Sequence, residues 1–293
     1  PVKTFYLLDG HAQLFRAYYA PFRDLTTPDG RNVKAAYVFT QLVLNLLAKK
    51  PEYFAVAFDV SDATTFRKAA YEPYKENRDE SPEDLGPQFA MVRTILDDLK
   101  IPILEREGFE ADDLIATIAA QLPDDVELRI VSKDKDLHQI LNEHVGLYDP
   151  KDGSMLLGTD LLEAKGYTPE QAVEIQTLVG DPTDNVPGVP GIGVKTAAKL
   201  IQAYGTADAV LEHADDLTPK RRESLLAAAD VLPISRSLVT LRRDAPIDVT
   251  LDAWLTPNPT RDDVRATFTE LGFSKFLANL PAGSEENPLF GAV

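Results

Sequence analysis

Residues 180–200 read GDPTDNVPGVPGIGVKTAAKL, so glycines, prolines and paired carboxylates crowd into one stretch. Asp181 and Asp184 stand three residues apart. On a single helical turn both carboxylates would face the same point, as shared metal ligands require. The stretch therefore predicts an acidic site at its front, and the rest of the chain is interpreted outward from it.

The second half of the stretch predicts a hairpin followed by a helix. Residues 189–193 read VPGIG, and neither proline nor glycine favours the interior of a helix. A helix over Val194–Tyr204 would place Lys195 and Lys199 one turn apart, next to the unpaired N–H groups of its first turn. A phosphate can bind at such a place. A plain surface loop between two helices would explain the glycines, but not the acids and lysines around them.

Composition predicts a soluble globular protein. The chain has 293 residues, of which 44% are hydrophobic, enough for one large or two ordinary domains. No apolar run approaches the roughly 20 residues of a membrane span, and the opening residues resemble a strand rather than a signal peptide. The absence of cysteine excludes disulfides and thiolate metal sites and fits a reducing cytoplasm.

The net charge of −17, from 47 acidic and 30 basic residues, argues by itself against a nucleic-acid partner. Phosphates are repelled by an acidic surface. If many of the acids converge on divalent cations, however, the charge that a ligand meets is local. The positions of the acids therefore matter more than their sum.

The first 59 residues predict a parallel strand pair. Lys3–Leu8 is an apolar, β-prone run that ends at Asp9, and Tyr53–Phe58 is another that runs into Asp59. The apolar spacing of Val33–Lys50 predicts a helix between them. A strand, helix and strand in this order form a right-handed crossover, and ligands bind beyond the carboxyl ends of such strands. We therefore expect Asp9 and Asp59 to lie side by side.

Residues 61–82 are polar and contribute little to a core, which predicts an excursion from the fold. If Pro73 occupies the first turn of a helix, Tyr74 and Arg78 lie one turn apart, and Lys75 lies beside Arg78 on nearly the same face. This segment would then present two cations together.

Residues 81–84 predict an N-cap, with proline and acids in the first turn of a helix that runs to about Lys100. Ile101–Leu104 is a short apolar connector or strand. Three further acids, Glu110, Asp112 and Asp113, open the next helix. Ordinary capping explains them as well as metal binding does, because the helix dipole favours acids in a first turn.

A further strand, Leu128–Ser132, is followed by Asp134 and Asp136. Alternate residues of an extended chain point the same way, so these two carboxylates would share a target. Val145–Tyr148 is the last strand that we predict.

From Thr159 onward the pattern is helical, and we expect helices near residues 169–179, 194–204, 218–229, 233–241 and 261–271. The chain thus changes class at about Thr177. We predict an α/β fold with a central, mostly parallel twisted sheet flanked by helices over residues 1–177. A helical region over residues 178–280 and a tail over residues 281–293 follow it.

The acids at strand ends and helix starts form one set: Asp9, Asp59, Glu110, Asp112, Asp113, Asp134, Asp136, Asp181 and Asp184. Nine are too many for capping alone. Two like charges about 6 Å apart cost roughly 3 kcal/mol at an effective dielectric constant near 20, so a convergent set requires protonation or bound cations. Oxygen ligands point to Mg²⁺ or Mn²⁺, and two such ions suit in-line attack of water on a phosphodiester. The four histidines lack a zinc-ligand spacing.

Several ordered motifs carry a family resemblance across nearly the whole chain: LLDGHAQLFRAYY, FR with AYEPYKENRDESPEDL, GFEADDLIATIA, VSKDKDLHQIL and the stretch quoted first. With them the sequence resembles the 5′-nuclease domain of bacterial DNA polymerase I, within the larger family of flap endonucleases. The resemblance implies the PIN-like 5′-nuclease fold. It also implies two metal groups: a tighter one held by Asp9, Asp59, Glu110, Asp112 and Asp113, and a second completed by Asp134, Asp136, Asp181 and Asp184, partly through water.

The resemblance assigns the excursion of residues 61–82 to a helical arch through which a single-stranded 5′ end passes. By motif position its catalytic cations are Lys75 and Arg78. Tyr71 and Tyr74 would stack on an unpaired base, and packing into the protein is an equal alternative for both. Arg16, on the first helix, would contact a phosphate.

The stretch at residues 180–204 resembles the family's helix-hairpin-helix module, which grips the duplex backbone and is associated with a monovalent cation, K⁺. Gly191, Gly193, Lys195, Thr196 and Lys199 would contact DNA there. Backbone contacts carry no base information, so the expected specificity is for DNA shape.

The resemblance implies a 5′-3′ exonuclease and 5′-flap endonuclease acting on flapped, nicked or gapped DNA, for RNA-primer removal and DNA repair. It implies a bacterial, nucleoid-associated protein that is fused to, or works with, a DNA polymerase. The alternatives are a related ribonuclease or phosphatase, and a DNA-junction binder without catalysis.

Overall fold

The computed structural model describes residues 2–78 and 80–282. Asp79, within the predicted arch, and residues 283–293 of the predicted tail lie outside the described residues. Among the residues that are described, no helix combines the length and the apolarity needed to cross a bilayer.

The α/β architecture is confirmed, with one mostly parallel sheet in the strand order β3-β2-β1-β4-β5-β6. Within the pairs β1 with β2, β2 with β3, and β4 with β5 the strands run parallel, and β5 and β6 are antiparallel. The strands are β1 Lys3–Asp9, β2 Tyr53–Ala57, β3 Ile103–Leu104, β4 Val126–Val131, β5 Val145–Tyr148 and β6 Met155–Leu157.

Apart from the helix expected after Pro73, the helices that we predicted are confirmed to within a few residues at most ends. The described helices are α1 Gly10–Tyr18, α2 Lys34–Leu47, α3 Phe66–Ala70, α4 Leu85–Asp98, α5 Ala111–Ala119, α6 Gly158–Lys165, α7 Pro169–Val179, α8 Val194–Tyr204, α9 Ala207–Glu212, α10 Pro219–Ala227, α11 Leu232–Val239, α12 Arg261–Glu270 and α13 Ser274–Leu277. The sequence analysis missed β6, α3, α6, α9 and α13. Each has eight residues or fewer, which leaves little periodicity to detect.

The start of α4 was predicted wrongly. The helix begins at Leu85 rather than after Ser81, and Asp84 at its cap position makes no capping hydrogen bond. The Asp84 carboxylate instead accepts hydrogen bonds from the Tyr18 hydroxyl at 2.8 Å and the Asn32 amide at 2.6 Å. Tertiary contacts therefore use the acid that the sequence assigned to the helix start.

The chain forms two compact units that are each discontinuous in sequence. The first comprises Pro1–Phe58, Glu80–Leu104 and Thr250–Val293, and the second comprises Asp59–Asp79 and Glu105–Val249. The units do not follow the predicted boundary near residue 177, because α7, α8 and α11 belong to the same unit as β4. That boundary stays a prediction.

The first unit buries its parallel strands completely. Phe5 and Tyr53 are opposite each other in β1 and β2, and Trp254, from a short 3₁₀ helix, packs with its ring centre 5.6 Å from that of Phe5. Apolar side chains on both strands place the core on either side of them. Strands buried on both faces are typical of parallel sheets covered by helices.

The second unit joins β4-β5-β6 to the C-terminal helices. Helices α7, α8 and α11 pack together, and Val186, Leu238 and Val239 form an apolar cluster with Tyr74. Through Val186, which pairs with Asp181 by a backbone bridge, the cluster includes the segment that carries the predicted acids Asp181 and Asp184. Most of the predicted site residues therefore belong to one compact unit.

Candidate metal centre and nucleic-acid interface

Asp9 and Arg16 are the predicted site residues of the first unit. Asp9 ends β1 and is 6% exposed, and its Oδ1 atom accepts a hydrogen bond from the Ala12 N–H at 3.0 Å, which caps α1. Arg16 is exposed in the last turn of α1. The expected placement of Asp9 beside Asp59 stays a prediction.

The start of α5 gathers three of the predicted acids. Glu110 occupies the N-cap and Asp113 the third helical position, and the Asp113 side chain accepts a hydrogen bond from the Glu110 N–H at 3.1 Å. Asp59 approaches from the end of β2, where its Oδ1 atom accepts a hydrogen bond from the Ala111 N–H at 2.5 Å. Asp112 lies in the same first turn. Helix capping and a shared acidic site are therefore not exclusive at this place, because the acids that cap α5 also lie close together.

Arg67, in α3, is a site residue that the sequence analysis missed. It is 1% exposed and uses all five guanidinium N–H donors. Nη1 donates to Glu110 at 2.6 Å and to Asp113 at 2.7 Å, and Nη2 donates to Asp113 at 2.8 Å. The remaining donors reach the carbonyl oxygens of Leu238 at 2.7 Å and Thr240 at 3.1 Å. Burial lowers the pKa of Arg67, but Asp113 and Glu110 reverse that effect, so the net pKa is raised and the group stays charged.

Asp113 already has several partners in this structure. Its side chain is fully buried, and its two oxygens accept four hydrogen bonds: two from Arg67, one from the Glu110 N–H at 3.1 Å and one from the Arg242 N–H at 2.8 Å. A carboxylate has about four lone-pair positions, so a metal ion would have to replace one of these donors. That Asp113 binds a metal ion stays a prediction.

The second group of acids follows β4. Asp134 and Asp136 lie at the start of a 3₁₀ helix, Lys135–Ile140, rather than in extended chain, so the predicted backbone was wrong. They are neighbours nonetheless, because the Asp136 N–H donates to Asp134 Oδ1 at 2.8 Å. Gln176, on α7, donates its amide to Asp136 at 2.5 Å.

Crowding of carboxylates is visible in the pKa values of this group. Burial, together with the charge of Asp134, raises the pKa of Asp136 to about 7. Desolvation and the charges of Asp184 and Asp181 raise the pKa of Asp134, although that residue is exposed. Neighbouring negative charges thus disfavour ionisation of Asp134 and Asp136, and a cation would bind well at such a place.

Asp181 and Asp184 lie in a turn and not on a helix, which corrects the first prediction. The turn is closed by two hydrogen bonds between the backbones of Asp181 and Val186, at 3.0 and 2.8 Å. A Cβ at Gly188 would lie 2.1 Å from the Val179 carbonyl oxygen, so only glycine allows the two chain segments to approach so closely.

Three basic side chains contact these acids. Lys75 contacts Glu110, Arg78 lies 2.6 Å from Asp184, and Lys135 lies 2.9 Å from Asp181. Burial alone would raise the pKa of Asp181, but the ion pair with Lys135 has the larger effect, so the pKa of Asp181 lies below its ordinary value. The predicted helix after Pro73 is absent from the described residues, where residues 72–77 form successive turns. Lys75 has a positive φ of 58° and donates its N–H to the Asp184 carbonyl oxygen at 2.9 Å.

Two amides hold these turns on the acidic loop. Asn185 donates to the Pro73 carbonyl oxygen at 2.7 Å, and Asn77 donates to the Pro182 carbonyl oxygen at 2.7 Å. The two predicted catalytic cations, Lys75 and Arg78, are thus placed by the same segment that carries Asp184.

Tyr74, for which base stacking and packing were equal alternatives, packs into the protein in this structure, and its stacking on a base stays a prediction. It is 5% exposed and its hydroxyl group lies 3.2 Å from Glu110 and 3.4 Å from Asp184. Tyr71 is half-buried against the same apolar cluster. The packing alternative therefore describes both rings.

The predicted hairpin and helix are confirmed. Gly193 is the N-cap residue of α8 and Gly191 has a positive φ of 81°. Lys195 and Lys199 are exposed on α8, one turn apart, and Thr196 lies between them. The first turn of α8 therefore presents backbone N–H groups beside two cations, an arrangement that suits a phosphate.

Within the part of the chain that the structure describes, no three acids stand close enough together to hold one ion as they are. The donor set nevertheless fits Mg²⁺ or Mn²⁺, because it consists of carboxylate oxygens in two crowded groups without thiolate or imidazole. The basic side chains that pair with these acids would compete with a divalent cation for the same carboxylates.

Two family models match the chain. One is described as "5'-3' exonuclease, N-terminal resolvase-like domain" and matches residues 4–172, and the other as "5'-3' exonuclease, C-terminal SAM fold" and matches residues 167–262. Among curated proteins, the chain is 38% identical to DNA polymerase I of Bacillus caldotenax over 98% of its length, and 42% identical to that of Rhizobium leguminosarum over 85%. It spans 34% and 25% of those relatives, respectively.

Solved structures share the fold at low sequence identity. The bacteriophage T5 5′-exonuclease with zinc bound is 22% identical, with a TM-score of 0.65 over 95% of this chain and 99% of that one. The catalytic core of Rad2 in complex with DNA substrate is 15% identical, with a TM-score of 0.63 over 95% of this chain and 91% of that one.

Proposed function

This chain belongs to the 5′-3′ exonuclease family, and we propose that it is a divalent-metal-dependent nuclease that cuts branched DNA at 5′ flaps, nicks and gaps. The observation that carries the proposal is the pairing of acids with cations in one compact unit. Glu110 contacts Lys75 and Asp184 contacts Arg78, so carboxylates for metal ions and cations for a phosphodiester lie at one place.

Two groups of acids would hold two Mg²⁺ or Mn²⁺ ions. Asp59, Glu110 and Asp112, with Asp9, would form the tighter group, and Asp134, Asp136, Asp181 and Asp184 the second. When bound, such a pair generates a hydroxide nucleophile and stabilises the leaving oxygen. Asp113, which Arg67 joins to Glu110, would complete the first group.

Lys75 and Arg78 would stabilise the charge that develops on the phosphate. Both now bind carboxylates of the centre, so they lie within reach of the same ions that would bind the scissile phosphate. Preorganised cations at such a position act most strongly where charge increases in the transition state. This is why we assign them to the chemical step and not to duplex affinity.

The hairpin and α8 would hold the duplex away from the acids. Gly191, Gly193, Lys195, Thr196 and Lys199 lie at or near the start of α8, where backbone N–H groups and lysines meet phosphates without reading bases. A K⁺ ion at the hairpin would add to the grip. Local cations of this kind would allow a protein of net charge −17 to bind DNA.

The relatives suggest the setting. The DNA polymerase I sequences come from bacteria, and the chain spans about a third of their length. We propose a role in bacterial RNA-primer removal and DNA repair, in the cytoplasm at the nucleoid, alongside or fused to a DNA polymerase. Arg16 would add a phosphate contact from α1.

Cleavage of a labelled 5′-flap duplex, with Mg²⁺ and with EDTA, tests the proposal. We expect a cut near the flap junction with Mg²⁺ and none with EDTA. Replacing Asp181 by Asn should reduce turnover at least about 100-fold, whereas Asp215→Asn, an exposed acid paired with Arg222, should not. Equal cutting of a matched RNA flap would favour a ribonuclease, and tight flap binding without any cutting would show a binding protein that has lost catalysis.

A further inference from the structure

We propose that Arg67 is a positioning residue that orients Glu110 for metal binding by tying it to the chain segment 238–242. This inference rests on the proposed function, because it assigns a role within the same metal centre. Arg67 itself is 1% exposed, so it reaches no ligand directly. Its effect would pass through the carboxylate that it holds.

The guanidinium group of Arg67 joins two carboxylates like a fork. Nη1 of Arg67 donates one hydrogen bond to Glu110 Oε2 and another to Asp113 Oδ2, at 2.6 and 2.7 Å. One nitrogen thus fixes the position of the Glu110 carboxylate relative to the Asp113 carboxylate. Asp113 is in turn held by its own helix through the Glu110 N–H. Glu110 therefore has little freedom to rotate away.

The other side of the fork reaches a different segment. Nε and Nη2 of Arg67 donate to the carbonyl oxygens of Leu238 and Thr240, at 2.7 and 3.1 Å. The Arg242 N–H donates to Asp113 at 2.8 Å, so the same segment also returns to the acid. Residues 238–242 therefore hold Arg67 in place, and Arg67 in turn holds Glu110.

The second group of acids is attached to the same segment, residues 238–242. Gln139 donates its amide to the carbonyl oxygens of Asp136 and Val239, at 3.0 and 2.9 Å, and accepts a hydrogen bond from the Leu241 N–H at 3.0 Å. The segment 238–242 is thus linked by hydrogen bonds to Glu110 through Arg67 and to Asp136 through Gln139. Its position would set the spacing between the two metal groups.

Only arginine can make this set of contacts. Lysine carries three donors on one nitrogen, whereas the five guanidinium donors reach two carboxylates and two carbonyl oxygens that lie in different directions. Arg67→Lys keeps the buried positive charge but removes the fork. A role in charge balance alone would tolerate that change, and a positioning role would not.

The test measures Mn²⁺ binding by calorimetry on the full chain without DNA, for the wild type, Arg67→Lys and Arg236→Lys. Arg236 is the matched control, because it also donates two hydrogen bonds to a carboxylate, that of Glu174, at 3.0 and 3.2 Å. We expect Mn²⁺ affinity to fall about 10- to 100-fold for Arg67→Lys, the range typical of residues that orient metal ligands. Affinity of the control should stay within about 2-fold of the wild type.

If Arg67→Lys does not fold, Arg67→Gln takes its place, because a glutamine amide has two donors and cannot join both carboxylates to both carbonyl oxygens. Arg67→Gln should show the same loss of Mn²⁺ affinity. Mn²⁺ affinity within about 2-fold of the wild type in a folded variant overturns the proposal.

A second readout separates this proposal from direct DNA contact and from the proposed function. Flap affinity measured in EDTA should be unchanged in Arg67→Lys, and a fall there with unchanged Mn²⁺ affinity would overturn the positioning role. If wild type binds Mn²⁺ and the variant does not, the positioning role stands even when no flap is cut. That outcome would contradict the proposed function alone.

Discussion

Arg78 donates two hydrogen bonds to a single carboxylate oxygen of Asp184, at 3.0 Å from Nε and 2.6 Å from Nη2. Lys75 forms an ion pair with Glu110, so both predicted catalytic cations contact predicted metal ligands. A carboxylate that is paired with a side-chain cation must exchange that partner for a metal ion. Metal binding and these ion pairs therefore compete, and the competition gives the first prediction.

Replacing Lys75 by Ala should change metal binding and catalysis in opposite directions. Loss of the competing ammonium should leave Mn²⁺ affinity unchanged or raise it by up to about 10-fold. Single-turnover cleavage of a 5′ flap should slow by about 100-fold or more, because a cation that stabilises transition-state charge is lost. Duplex affinity, measured by titration in EDTA, should change little.

Lys133→Ala is the matched control, since Lys133 is 60% exposed and pairs with Asp149, outside the set of predicted ligands. It should preserve both the rate and the metal affinity. A fall in duplex affinity as large as the fall in rate for Lys75→Ala would show that Lys75 binds DNA and has no separate role in the chemical step.

The acids were predictable because each follows a local signal. A strand that ends in aspartate, a first turn rich in carboxylates and a glycine-rich turn are all visible within a few residues, and they pointed to Asp59, Glu110 and Asp181. Arg67 has no such signal. Its importance comes from carbonyl oxygens at Leu238 and Thr240, some 170 positions away in sequence, which no local pattern reveals.

Local geometry was predicted less well than position. Asp181 and Asp184 were placed on a helical turn because their spacing allowed it, but the backbone bridge between Asp181 and Val186 decides the conformation. The segment around Lys75 was expected to be helical after Pro73, yet tertiary hydrogen bonds from Asn185 and to Asp184 hold it in turns. Tertiary contacts overrode local preference in both cases.

Lys195 and Lys199 should control the salt dependence of DNA binding. Each is exposed on α8, so a phosphate contact by each would release one counterion. Replacing both by Ala should weaken binding and reduce the slope of log affinity against log salt by about 2. The control replaces Lys151 and Lys165, two exposed lysines elsewhere in the same unit, and should leave the slope as it is. An unchanged slope for the α8 pair would remove their phosphate role.

Gly193→Ser should weaken DNA binding without affecting the fold. A Cβ at this position meets no atom within 4 Å, and serine is a favourable N-cap, so the free energy of unfolding should change by less than about 0.5 kcal/mol. If a DNA backbone approaches the N–H groups of α8, the added side chain should lower duplex affinity about 10-fold.

Gly188→Ala makes the opposite prediction and serves as the comparison. Its Cβ would lie 2.1 Å from the Val179 carbonyl oxygen, so the turn that carries Asp181 and Asp184 must shift. We expect a loss of stability of about 2 kcal/mol or more, measured by urea unfolding. Equal effects of the two substitutions on stability would contradict this assignment of the two glycines.

Asp136→Asn should stabilise the metal-free protein in a way that depends on pH. The pKa of Asp136 is about 7 in the folded protein because of burial and the charge of Asp134, whereas an unfolded aspartate has a pKa near 3.9. Between about pH 4 and pH 7 the folded state holds a proton that the unfolded state has released. The contribution of Asp136 to stability is therefore fully present below about pH 4 and is lost as the pH rises to about 7.

Asparagine cannot ionise, so the stability difference between Asp136→Asn and wild type in EDTA should grow from pH 4 to pH 7 and then level off. We expect about 1 kcal/mol in favour of the variant at pH 8, a modest value because the side chain is only half-buried and water screens part of the repulsion. Asp230→Asn, at an exposed position, should show no such trend. Saturating Mg²⁺ should reverse the order, because wild type then gains binding energy that the variant loses. A difference that stays constant with pH in EDTA would mean that Asp134 and Asp136 do not repel each other in the folded protein.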